Sequence, residues 1–180
     1  YLDNFISEHK EMKLANAGGV HIEPMGVYSR KIKKLDELAD GASVAIPNDP
    51  TNGGRSLLLL EKAGLLKLRE GSGTNPTVQD VTENKKNLKF QEVEAAQVPR
   101  TLDDVDAAVI NTNYAMQANL VPTKDALFME DSTSPYVNIV AVRTGDEKRP
   151  EIQALMKALR SEEVKKFIDE KYKGAIVPAF

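Results

Sequence analysis

Residues 43–64 read SVAIPNDPTNGGRSLLLLEKAG. The run SVAIP is apolar and short, which suits a buried strand that stops at Pro47. A turn crowded with Asn, Asp, Pro and Gly follows, since each of these residues favours turn conformations. The segment from Gly53 then has the composition of a helix. Leu57 to Leu60 span more than one of its faces, so the helix is expected to be covered, with Gly64 ending it. Strand, polar loop and covered helix together make the basic unit of a layered α/β fold. One cation, Arg55, stands just ahead of the leucines at the mouth of the helix.

Outward from this unit the alternation continues. Residues 2–11 predict a helix with Leu2, Phe5 and Ile6 on one side. Gly18-Gly19 breaks it, and VHIEPMGVYS follows as an extended segment. In KIKKLDELADGA, Ile32, Leu35 and Leu38 recur every three residues, and a short helix closed by Gly41 is expected. A further helix is expected to open near Thr77. Residues 88–95 alternate as a strand with one wet face, VPRTLDDV reads as a turn and short helix, and AAVI (107–110) as a buried strand running into a helix. ALFMED and SPYVNIVAVR supply two more strands. The apolar continuity of Val137–Val142 predicts a central position. Residues 151–174 predict helix, with Ser161 capping a restart. The expected architecture is α/β with mostly parallel sheets flanked by helices.

The chain of 180 residues is 41% apolar and 28% charged, the balance of a globular protein rather than a disordered one. A net charge of -3 argues against a nucleic-acid partner, whose surface would call for an excess of Lys and Arg. With no cysteine there is no disulfide, thiolate nucleophile or thiolate metal site, and His9 and His21 are too few for zinc. No run of about 18 apolar residues is present to span a membrane. No GxSxG elbow occurs, and neither histidine lies beside a convincing partner, so no catalytic constellation emerges. Asp103-Asp104 and Glu162-Glu163 read as polar helix starts, and Arg30, Lys31, Lys33 and Lys34 as a solvated face. No cofactor and no metal are expected.

Ligands of open α/β sheets lie beyond the carboxyl ends of strands. Three strand-associated segments are rich in polar groups: NDPTNGGR after residues 43–47, NTNYA after 107–110, and SPYVN opening 137–142. They offer Asn48, Asp49, Thr51, Asn52, Arg55, Asn111, Thr112, Asn113, Tyr114, Tyr136 and Asn138. A guanidinium fork matches a carboxylate, and an amide reads both an ammonium and a carboxylate, so the mixture suits a zwitterionic amino acid. The loop lacks the GK[ST] ending of a phosphate-binding Walker loop. Each piece also has a plainer explanation: NDPT as a turn, and Asn111 as a helix cap. Asn138 opens an apolar strand, where a buried amide must find partners.

EPMGVYSRKIKKLDELADGASVAIPNDPTNGGRSLLLLEKAGLLKL, NPTVQDV, AAVINTNYA, DSTSPYVNIVAVR and KGAIVPAF resemble the NlpA-type methionine-binding lipoproteins, and the likeness covers essentially the whole chain. The resemblance implies a two-lobed periplasmic-binding fold that closes over its ligand by a hinge. Residues 40–132 would form one lobe, and residues 1–39 with 133–180 the other, which lacks an upstream βαβ segment. It implies a non-enzymatic component of an ABC importer that binds methionine, or a methionine-containing dipeptide, in an interlobe cleft. The protein would be lipid-anchored outside the cytoplasm, monomeric, and partnered by a membrane permease. By the same likeness Arg55 holds the ligand carboxylate and Asn111 and Asn138 the polar groups of the amino acid, followed by Asn52 and then Tyr114. Substituting Arg55 by Ala is expected to abolish binding and leave the fold intact. The alternative is a cytosolic effector-binding regulatory domain of the same architecture.

Overall fold

Asp49 sets the start of the helix that follows the first buried strand. Its side chain accepts from the backbone N–H of Asn52, and Pro50 occupies the first helical position, where its missing N–H is no loss. The helix therefore begins at Pro50 rather than Gly53, and Arg55 lies in its second turn instead of at its mouth.

The computed structural model describes residues 1–180. Its elements in chain order are α1 (Leu2–Glu8), β1 (Leu14–Ile22), β2 (Gly26–Tyr28), β3 (Ser43–Pro47), α2 (Pro50–Lys62), β4 (Lys67–Leu68), β5 (Val81–Glu83) and β6 (Lys89–Val93). There follow β7 (Ala107–Ile110), α3 (Thr112–Gln117), α4 (Pro122–Asp125), β8 (Phe128–Met129), β9 (Val137–Arg143), α5 (Pro150–Leu159), α6 (Glu162–Tyr172) and β10 (Val177–Pro178). The fold is mixed α/β, and it divides into two compact units, 24–131 and 1–23 with 132–180.

The 24–131 unit is built on a five-stranded sheet of order β6-β3-β7-β2-β8. Parallel pairing is confined to β6–β3–β7; β2 runs antiparallel to both β7 and β8. A mostly parallel sheet is thus not observed. The crossover through α2 makes β3 and β6 parallel, whereas β2 enters from the other direction. Residues 24–39 also change sides relative to the expected division. β2 is paired on both edges inside this sheet, and Met25 and Val27 have no exposed surface. One face of the sheet packs Val44, Ile46 and Val109 against Leu57, Leu59 and Leu60 of α2. The other face packs Tyr28, Ala45, Ala108 and Ile110 against Val98, Leu102 and Val105. Asp106 ties the sheet's start together by accepting from Ser43 N and Oγ at 2.8 and 3.0 Å. The backbone N–H of Ser43, more than any other contact, holds the Asp106 carboxyl below the usual carboxylate range.

The unit formed by 1–23 and 132–180 carries an antiparallel sheet of order β10-β1-β9. β9 therefore lies at an edge, with a half-wet burial pattern, and not at a centre. Its apolar continuity reflects β-branched strand preference rather than burial on both faces. Gly18 and Gly19 sit within β1, at irregularities in its register with β9, instead of separating a helix from a strand. Ser161 does cap α6, accepting from Val164 N at 3.3 Å.

Two expected helices are single 3₁₀ turns. Leu35–Glu37 is one; the spacing of three between Ile32, Leu35 and Leu38 is the period of a 3₁₀ helix, not of an α-helix. Val78–Asp80 is the other. Asp80 closes that turn on itself by accepting from Thr77 N and Oγ1, and the chain leaves directly into β5. Those bonds, with the Arg69 guanidinium, lower the Asp80 pKa to about 2.

Candidate functional site

β3 and β7 lie side by side and parallel, so their carboxyl ends emerge together. Asn52, in the first turn of α2, and Asn111, the residue after β7, are 59 apart in sequence. Their side chains meet: Asn111 Nδ2 donates to Asn52 Oδ1 at 2.8 Å. Asn52 Nδ2 in turn donates to Asp49, 3.1 Å from Oδ1 and 3.0 Å from Oδ2. The plainer explanation of Asn111 as a side-chain cap does not hold, because it occupies the N-cap position of α3 without a capping hydrogen bond from its side chain. Its Oδ1 is instead buried and has no hydrogen-bond partner. A buried carbonyl oxygen without a donor costs about 1–3 kcal/mol, and such atoms in native structures call for an explanation.

Arg55 lies one turn along α2 from Asn52 and is 7% exposed. Its guanidinium engages Glu130, with Nε donating to Oε1 at 2.7 Å and Nη2 to Oε2 at 2.5 Å. Glu130 is fixed in turn by the Met25 backbone N–H at 3.0 Å. One edge of the fork, through its Nε and Nη2 donors, thus faces a protein carboxylate. Arg55 is part of the core of its unit rather than a solvent-facing cation, so its replacement by Ala is not structurally neutral.

Tyr114 packs against the apolar cluster around Tyr28, Val98 and Ile110, and is not among the partners of Asn52 and Asn111. Thr112 is fully buried and donates to the Pro24 carbonyl, anchoring the start of α3 to the segment ahead of β2. Asn48 and Asn113 are exposed. Asn138 belongs to the other unit, on β9 opposite His21. It is exposed, so the burial that would have forced partners on it is absent. His21 does have a carboxylate partner, contrary to expectation: Nε2 lies 2.9 Å from Glu23 Oε1, two residues on along the same face. The basic run is not merely solvated, since Arg30 reaches Asp103 at 2.5 Å and Lys31 reaches Asp106 at 3.4 Å. Asp103 ends a 3₁₀ helix instead of starting one.

Sequence reasoning missed Glu130 and the role of Asp49. Nothing local announces Glu130, which meets Arg55 only because β8 pairs with β2. Asp49 was legible, as an acidic residue directly before a proline at a helix start. Tyr28 also went unnoticed: it is 1% exposed with its hydroxyl unpaired, and burial above all, then the Asp125 carboxylate, pushes that hydroxyl's pKa up.

The sequence pattern of the NlpA lipoprotein family matches residues 1–180. The D-methionine-binding lipoprotein MetQ of Escherichia coli strain K12 is 49% identical over 179 residues, 98% of this chain and 66% of that protein. The chain therefore spans about two-thirds of that relative's length. A nutrient binding protein from Burkholderia cenocepacia, solved bound to methionine, superposes with a TM-score of 0.95 at 52% identity, covering 100% of this chain and 76% of that one. An ABC transporter periplasmic substrate-binding protein from Coxiella burnetii gives 0.94 at 44% identity, over 99% and 75%. These relatives are binding proteins, not enzymes. By a match along its entire length, the chain belongs to the NlpA lipoprotein family.

Proposed function

We propose that this chain is the substrate-binding component of an ABC importer, and that it captures methionine, or a short peptide containing it, for delivery to a membrane permease. The observation that carries the proposal is the buried Oδ1 of Asn111, which lacks a donor. An α-ammonium group supplies N–H donors and a positive charge, and so satisfies that oxygen with a charge-assisted bond. Asn52 orients the amide from behind. Arg55, held in plane by Glu130, supplies the cation nearest along α2 for the ligand carboxylate. The relatives named for binding methionine support the ligand class. Those named as lipoproteins and as a periplasmic substrate-binding protein support a lipid-anchored, extracytoplasmic location. No helix of the chain is long and apolar enough to cross a membrane.

Calorimetric titration of the natural-length protein with L- and D-methionine tests this. Asn111→Ala removes the acceptor of a bond to a charged group, worth about 1.5–3 kcal/mol, so Kd should rise roughly 10- to 100-fold. An unchanged Kd in that variant would refute the assignment of the site.

A further inference from the structure

Asp49 has no obvious duty beyond capping α2, yet it decides which way two amides face. A carboxylate only accepts hydrogen bonds, so the Asn52 group within 3.0–3.1 Å of both its oxygens must be the amide nitrogen. Asn52 Oδ1 then faces away from Asp49 and can only accept. The Asn111 group 2.8 Å from it must therefore be the Asn111 nitrogen. That leaves Asn111 Oδ1 as the amide atom without a partner. The opposite orientation would set two carbonyl oxygens against each other at hydrogen-bond distance. An isolated asparagine presents oxygen or nitrogen with little preference. This one is locked with its oxygen turned away from Asn52 by a relay that starts at a fixed anion.

We propose that Asp49 is the positioning residue that sets the polarity of the ligand site, so that Asn111 selects a ligand bearing an ammonium donor over one that offers an acceptor at the same place. The inference rests on the proposed amino-acid site and extends it to a residue that does not touch the ligand. The backbone contributes to the lock as well: Asn52 N also donates to Asp49 Oδ1 at 2.9 Å, which fixes the carboxylate relative to α2. Replacing Asp49 with Asn keeps a good N-cap but introduces a side chain that both donates and accepts. Asn52, and through it Asn111, is then free to invert. Ser at position 49 keeps a cap while withdrawing the bidentate anion.

The test is a pair of titrations on the natural-length protein, with L-methionine and with 4-(methylsulfanyl)butanoate, which is the same molecule without its amino group. The parent should prefer methionine by at least tenfold. In Asp49→Asn and Asp49→Ser that preference should collapse by roughly tenfold, through weaker methionine binding, while the affinity for the butanoate stays within about twofold. Melting temperatures should move little, because both replacements cap helices. Equal loss for both ligands would mean a purely structural role and would overturn the proposal, as would a preference that survives in both variants. A parent that binds neither ligand, or both alike, would instead overturn the amino-acid site itself and the inference with it.

Discussion

A guanidinium bonded through two donors of one edge to both oxygens of a carboxylate is held in a single plane, and in a buried setting neither partner can be removed alone without stranding the other's charge. Arg55 and Glu130 have side chains 9% and 11% exposed, so they fall in this class. Arg55→Ala should therefore lower the unfolding free energy by about 3–5 kcal/mol, and Arg55→Ala with Glu130→Gln should recover part of the loss. Urea unfolding followed by circular dichroism measures both. A loss below about 1 kcal/mol in the single variant would show that the pair is solvated rather than part of the core. Binding lost in Arg55→Ala is consequently not proof of a ligand contact. The charge-preserving Arg55→Lys separates the roles better, since it removes the planar fork and keeps the cation.

Among the elements, α2 carries both the apolar face of the sheet and the first asparagine of the site. Its two glycines differ in purpose from the one that follows it. A Cβ on Gly54 would lie 2.7 Å from Asn75 Cα and 3.0 Å from the Pro76 ring, contacts that real side chains do not make. Gly64 has φ +77 with open space around it, the left-handed turn that ends the helix. Replacing each with Asn distinguishes the causes. Gly64→Asn should cost well under 1 kcal/mol, because Asn tolerates the left-handed region, whereas Gly54→Asn forces the 75–76 backbone off the helix and should cost at least 1–3 kcal/mol. Thermal melts that rank the two the other way would contradict the close packing. The sequence announced α2, β3 and β7 clearly, since each couples a strong apolar run to turn chemistry, and the strand exits they define did hold Asn52 and Asn111. It failed where spacing was ambiguous or the information was distant. Period-three apolar residues made a 3₁₀ turn, Val137–Val142 became an edge, and the partner of Arg55 came from the residue after β8, 75 positions away. Residue type suggested that Asn111 binds something. Only the tertiary relay from Asp49 says which of its two ends is left without a partner.

At the scale of the molecule, the two units are unequally provided for. Both large apolar clusters lie wholly within 24–131, on opposite faces of one five-stranded sheet. The other unit keeps few apolar side chains buried, chiefly Ile22, Met156, Ile168 and Ile176, while Met12, Leu155 and Phe167 are 46%, 44% and 52% exposed. Burial of apolar surface at about 25 cal/mol per Å² is the main favourable term opposing chain entropy, so stability should follow this division. A segment of 24–131 is also continuous, needs no partner segment to complete its sheet, and has the size of an ordinary domain. Expressed alone, 24–131 should unfold in one cooperative transition and protect the amides of β3 and β7 most strongly against hydrogen exchange. In the 180-residue chain the amides of β1 and β9 should exchange by opening events that leave β3 and β7 protected. Uniform exchange across both sheets with a single global rate, together with an isolated 24–131 that fails to fold, would show that the two units are one cooperative body and that the burial argument misjudges where the stability resides.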